Sequence, residues 1–182
     1  MIFSKSNFSR RLVYLGRFSP EKGTLNLVKS YNRLDESVKK RWPLVLIGDG
    51  PEKESILQIK SEHIIIQPFL QGEALFRELS KGGVACSPSL REQWGVVIHE
   101  FAIMGYPMLL SNVCGAATEF LIEGYNGFLF DPLNQDSFFE AIKKITSLSD
   151  EELELFSDRS HQLGKRISSE ISAASLLSVL YK

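Results

Sequence analysis

The stretch Ser89–Gly105, SLREQWGVVIHEFAIMG, holds two glutamates, Glu92 and Glu100, with seven residues between them. Trp94-Gly95 follows the first, and the apolar run Val96, Val97, Ile98 leads to the second. Upstream, GVACSPS (83–89) is an apolar, β-type run; downstream, Gly105 ends the helical pattern and PMLLS (107–111) begins another strand. Strands joined through a helix run parallel, so this is one β-α-β unit. A helix starting near Gly95 or Val96 leaves Glu92 in the loop and puts Glu100 in the second turn. The free N–H groups around Trp94 to Val97 then point back toward the strand ends and form an anion site carrying about half a positive charge. The two carboxylates bracket it. Val96, Val97, Ile98, Phe101 and Met104 are expected to be core.

The same alternation runs outward from that unit in both directions. RLVYLG (11–16), PLVLIG (43–48), HIIIQP (63–68) and GFLFDP (127–132) read as further strands, making about six. Between them lie amphipathic helical patterns. Thr24 to Leu34 is one, with Thr24 as its N-cap; another begins at Pro51, and others cover about 72–80, 134–147 and 150–163. Ser149 and Glu152 form a capping box for the last of these. Strands this apolar are buried on both faces, as in a doubly wound, Rossmann-like parallel sheet of order 3-2-1-4-5-6. The domain is read as residues 11–166, after a linker over 1–10 and before a helical tail over 167–182.

Composition excludes several classes. A chain of 182 residues buries roughly 70% of its unfolded surface and needs no staples. A net charge of -1 gives no bulk attraction for nucleic acid. Cys86 and Cys114 stand apart, so they make neither a zinc site nor a disulfide framework. No apolar run approaches the roughly 20 residues of a membrane span.

In a doubly wound sheet, ligands bind at the carboxyl ends of the strands. After the first strand comes GRFSPEKG, which puts Arg17 and Lys22 in one loop between Gly16 and Gly23. It is not a Walker A loop, since Glu21-Lys22-Gly23 stands where Gly-Lys-Ser/Thr belongs. Two such cations can neutralise a diphosphate, or they are simply solvated. After the second strand, GDGPEK supplies Gly48 and Gly50 with Lys53 in place of a third glycine; a tight turn fits better than a dinucleotide fingerprint. Glu100 can accept two hydrogen bonds from a vicinal diol such as a ribose, with Glu92 on the far side of the phosphate site. The plainer reading is that Glu92 caps the helix and Glu100 is a solvated helical residue.

LGRFSPEKG, LVLIGDGP, SPSLREQWGVVIHEFAIMGYPML and CGAATEFLIEGYNGFLFDP, in that order, resemble the C-terminal, donor-binding half of retaining GT-B glycosyltransferases of family 4, over about Leu12 to Ile145. The resemblance implies that Arg17 and Lys22 bind a donor diphosphate with backbone amides near Gln93, Trp94, Gly95, Val96 and Val97. It implies that Glu100 holds the ribose and that Glu92 lies beside the transferred sugar, close to the reacting carbon. Gly16, Gly48, Gly50 and Leu70 complete the donor-binding set. Gln93-Trp94 replaces the family's usual Gly-Phe, and Gln71-Gly72 replaces a glycine after the third strand. His99 and Glu119 are expected to be structural, Glu119 by tying its loop, and Asn126-Gly127 is expected to be a turn.

The ligand implied is a nucleoside diphosphate sugar, with no cofactor and no metal. The partners implied are an N-terminal acceptor-binding domain not contained in this chain and a saccharide or lipid-linked acceptor. The location implied is the cytoplasm or the inner face of the membrane. Alone, the domain is expected to be inactive. The alternatives are a split or noncatalytic nucleotide-binding subunit needing a separate acceptor-domain chain, or half of a sugar-nucleotide epimerase. The missing third glycine, with Arg17 and Lys22, disfavours an NAD dehydrogenase.

Overall fold

In the computed structural model, which describes residues 8–167, the six expected strands are β1 (Leu12–Leu15), β2 (Leu44–Ile47), β3 (Ile64–Gln67), β4 (Val84–Ser87), β5 (Met108–Ser111) and β6 (Gly127–Phe130). They form one sheet in the order β3-β2-β1-β4-β5-β6, as the sequence predicts, and every pairing is parallel. The helices are α1 (Thr24–Asn32), α2 (Glu36–Arg41), α3 (Lys53–Ile59), α4 (Gly72–Leu79), α5 (Val96–Ile103), α6 (Ala117–Phe120), α7 (Gln135–Ser147) and α8 (Asp150–Gly164).

Alternate residues of each strand face opposite sides, which divides the core in two. Leu12, Tyr14, Leu44, Leu46 and Cys86 pack against Leu27, Val28 and Tyr31 of α1, Ile56 of α3 and Phe138 and Ile142 of α7. Val13, Val45, Ile47, Ala85 and Leu110 pack against Leu79 of α4, Ile98, Phe101 and Ala102 of α5 and Phe120 of α6. Helices on both faces are what strands without a polar side require.

Local expectations differ in several places. Gly23, not Thr24, is the N-cap of α1; Thr24 is the first helical residue and is buried. Helix α3 begins at Lys53, so Pro51 lies in the preceding turn. Helices α2 and α6 have six and four residues, too short for their apolar spacing to register as a period. The Ser149–Glu152 capping box on α8 is formed in both directions. Asn126 closes the expected turn before Gly127 and is also fully buried: its side chain accepts from Ile122 N and donates to the Phe120 carbonyl and Ser160 Oγ. Ile167 packs half-buried against the second core; the remainder of the expected tail, with Ile171, Leu176, Leu177, Leu180 and Tyr181, lies outside the described residues.

One charged pair sits inside the fold. Arg11 donates through Nη1 to Glu78 Oε1, through Nη2 to the Glu78 carbonyl at 2.6 Å and through Nε to the Gly82 carbonyl at 2.7 Å. These bonds join the entry of β1 to the end of α4. Burial pushes the Glu78 carboxyl up, but hydrogen bonds from Lys81, Arg11 and Gln67 outweigh it and lower it from its ordinary 4.5 to about 2. A depressed carboxyl contributes stability above its unfolded value and loses that contribution as pH falls through its folded value. Glu78 should therefore stabilise the chain fully above pH 4.5 and progressively less down to about pH 2. In urea titrations, Arg11→Ala should cost about 3–5 kcal/mol by stranding a buried charge. Glu78→Gln should flatten the loss of stability between pH 4.5 and pH 3.

Candidate functional site

A cleft of about 1070 Å³ opens at the carboxyl ends of β1, β2, β3 and β4. Three strand-to-helix connections line it, and the first and third bring the expected cations and Glu92 there. The first runs from β1 through a single 3-10 turn, Pro20–Lys22, into α1. It is pinned from below, where the Tyr14 hydroxyl donates to the Arg17 carbonyl at 2.7 Å. Burial raises the Tyr14 phenol well above its ordinary range, so this bond keeps its proton. The second connection, between β2 and α3, carries Asp49, whose carboxyl is lowered by hydrogen bonds from Lys53 and the Gly50 amide. The third, Pro88–Gly95, leads into α5. The first and third are tied directly: the Leu90 and Arg91 amides donate to the Glu21 carbonyl at 2.8 and 3.3 Å.

Arg17, Lys22, Glu92 and Glu100 all line this one cleft, although some seventy residues separate the cations from the glutamates. Gly16, Gly50, Leu70, Gln93, Trp94, Gly95, Val96 and Val97 line it too. Gly95 caps α5 with φ +90, a left-handed conformation that aims the first amides of the helix at the cleft. Arg17 and Glu100 are exposed, whereas Lys22 is joined to Glu92 by an ion pair.

Three expected placements fail. Gly48 does not line the cleft. It stands behind the wall, so close to the first loop that a Cβ would lie 1.9 Å from the Gly16 carbonyl oxygen. Val96 was expected in the core but is 67% exposed and faces the cleft, since the first turn of α5 is ligand-side; Ile98 and Phe101 are buried as expected. His99 is structural as expected: its ring stacks on Phe120 at 4.5 Å and its Nε2 hydrogen-bonds the Gly164 carbonyl at 2.9 Å. Glu119, expected to tie its loop, is exposed on α6.

The tie is made instead by neighbours that sequence reasoning passed over. The Gly115 amide donates to the Glu92 carbonyl at 3.2 Å, and the Ala116 amide to the Trp94 carbonyl at 3.0 Å. The Cys114 thiol also donates to Trp94 O, at 3.3 Å. Burial pushes that thiol up to about 11, with Glu92 adding to the shift, so it stays protonated. Only the small residues Gly115 and Ala116 hinted at so close an approach. Asp49, Phe69 and Gln71 are further lining residues not expected from sequence. Among the described residues, one trio could ligate a metal, Glu36, Glu62 and His63. It is at the entry of β3, the far end of the sheet from the cleft. No described helix is long and apolar enough to cross a membrane.

The family described as glycosyl transferases group 1 matches residues 3–165. The chain belongs to that family. An uncharacterized glycosyltransferase of Methanocaldococcus jannaschii is 29% identical over 145 residues, which cover 78% of this chain and 39% of that protein. A sulfoquinovosyl transferase of Arabidopsis thaliana is 31% identical over 125 residues, 66% of this chain and 23% of that one. This chain thus spans well under half the length of the curated relatives it matches. Among solved structures, a lipopolysaccharide outer core galactosyltransferase superposes with a TM-score of 0.79 at 19% identity, covering 99% of this chain and 51% of that one. Anabaena HepE in complex with UDP and glucose gives 0.77 at 16% identity, covering 94% and 48%. The shared architecture is the Rossmann-like half of a GT-B fold.

A Cβ on Gly115 would lie 1.9 Å from the Gln93 carbonyl oxygen, so Gly115→Ala must displace the loop that carries Glu92. The variant should lose about 1–3 kcal/mol of stability. Its backbone amide resonances should move most at Glu92 to Val97, next to the substitution in space and about twenty residues from it in sequence.

Proposed function

We propose that this chain is the C-terminal, donor-binding domain of a retaining, family 4 type glycosyltransferase that moves a hexose-type sugar from a nucleoside diphosphate to a saccharide or lipid-linked acceptor. Cell-surface polysaccharide or glycoconjugate synthesis is the setting, in the cytoplasm or at the inner face of the membrane. The observation that carries the reading is the convergence of Arg17, Lys22, the α5 N-terminus and Glu100 on one cleft. Cations and helix amides fit the diphosphate, and Glu100 fits the ribose diol. Apolar Leu70 and Phe69 lie on the β3 side, where the base would sit.

Departure of the sugar leaves negative charge on the diphosphate. Arg17, Lys22 and the fixed amides at Gly95 to Val97 stabilise that charge without reorganising, and no metal is needed for it. Glu92 is at the sugar end and positions the transferred ring. The N-terminal domain, supplied in the same polypeptide or by a second chain, brings the acceptor to the opposite wall. Without it this domain binds donor and transfers nothing.

UDP is the first nucleotide to test, because structural neighbours were captured with it. In calorimetric titrations, Arg17→Ala and Lys22→Ala should each weaken nucleoside diphosphate binding roughly 10- to 100-fold, the worth of a charge-assisted contact. Neither should change binding of the bare nucleoside. Glu100→Gln should weaken both ligands, since both carry the ribose. Equal effects of the cation substitutions on nucleoside and nucleoside diphosphate would remove the reading.

A further inference from the structure

The cleft holds an internal anion against one of its cations. Lys22 Nζ donates to Glu92 Oε2, with the two side chains 32% and 18% exposed. Both ends are anchored. The Lys22 amide donates to the Ser19 carbonyl at 3.0 Å, and the adjacent Glu21 carbonyl is held by Leu90 and Arg91. Glu92 forms a parallel bridge with Cys114, and its carbonyl is held by Gly115. Arg17 forms no salt bridge among the described residues. Of the two cations facing the cleft, one is therefore free for a ligand and the other is occupied.

Resting on the donor-cleft reading above, we propose that Glu92 discriminates donor from product. It is the counter-anion of Lys22, and an incoming diphosphate has to displace it. The displaced carboxylate then needs new hydrogen-bond donors, because a charge left unpaired beside a phosphate is costly. A donor brings sugar hydroxyls to the Glu92 end of the cleft and supplies them. The nucleoside diphosphate left after transfer has no hydroxyl there. Glu92 then reclaims Lys22, and the product is released. One residue thus favours the substrate over the leaving group that resembles it, using a competition for a single ammonium.

The chain carries its own reporter. Of its two tryptophans, Trp42 is 1% exposed, whereas Trp94 is 43% exposed and lines the cleft. Inorganic pyrophosphate, UDP and several UDP-sugars are titrated into the chain and followed by calorimetry and by Trp94 fluorescence. Glu92→Gln should bind pyrophosphate and UDP roughly 3- to 10-fold tighter than the native chain, the scale of a partly exposed ion pair plus one removed repulsion. Glu92→Ala should do the same. The gain should be smaller for whichever of UDP-glucose, UDP-galactose and UDP-N-acetylglucosamine binds best. In a Lys22→Ala background, Glu92→Gln should lose most of its gain. Unchanged or weaker pyrophosphate binding by both Glu92 variants would overturn the proposal. An equal gain for UDP and its sugars, or a full gain without Lys22, would also overturn it. Those failures leave the donor-cleft reading standing if Arg17→Ala and Lys22→Ala still weaken UDP. If the cation variants bind UDP as tightly as the native chain, both readings fall together.

Discussion

The pairing of β1 with β4 is the constraint on which the site depends. It is short, Leu12 against Val84 and Val13 against Ala85, yet it is where the chain order reverses. To one side the sheet continues through β2 and β3, and to the other through β5 and β6. At such a reversal the connections leaving the two central strands turn to opposite faces, and a crevice opens between them. Lys22 follows β1 and Glu92 follows β4. A different neighbour for either strand would separate them by at least one strand spacing, about 4.8 Å. The ion pair could not then form.

Topology alone brings loops near one another; holding them within hydrogen-bond distance takes a second device. Here it is backbone against backbone. Leu90 and Arg91 bond Glu21, Gly115 bonds Glu92, and Ala116 bonds Trp94. Each contact fixes a loop through groups that cannot change rotamer, which makes the position of a following side chain more definite than side-chain packing would. The closest approaches of chain to chain are made where no Cβ intervenes, as at Gly48 against Gly16 and Gly115 against Gln93. Preorganisation of this kind matters most at a site whose chemistry is electrostatic, because fixed dipoles need no rearrangement as charge develops.

Much of this was readable from the residues. Six apolar runs between helical patterns lead to the parallel sheet and its order, and strand ends lead to the loops that hold Arg17, Lys22 and Glu92 and to the helix that holds Glu100. The failures have a common physical origin. Helices α2 and α6 fall below the length at which period 3.6 can be distinguished from chance. The family resemblance puts Gly48 in the donor-binding set, but the close approach this glycine permits is to the chain itself, at the Gly16 carbonyl. Val96 was placed in the core because an apolar residue in an apolar run is usually buried, whereas the first turn of α5 projects into the cleft. The role of Gly115 depends on a contact with a residue twenty-two positions away, which the small residues of CGAAT permit but do not specify.

The cleft's apolar rim bears on the proposal that a second domain faces this one. Phe69, Trp94 and Val96 are 63%, 43% and 67% exposed, yet they stand beside the charged groups rather than on an unrelated face. In water, a cation and an anion 4 Å apart attract by only about 1 kcal/mol, and at a partly screened protein surface by about 4 kcal/mol. Cations of this kind gain leverage over any anion when water is removed around them. An apolar rim is what a second wall would bury to exclude that water, and the same burial would hold the two walls together. Under the proposed function the electrostatic floor and the apolar rim are two parts of one device: the floor would supply charge of the right sign, and a covering domain the low dielectric in which that charge becomes decisive.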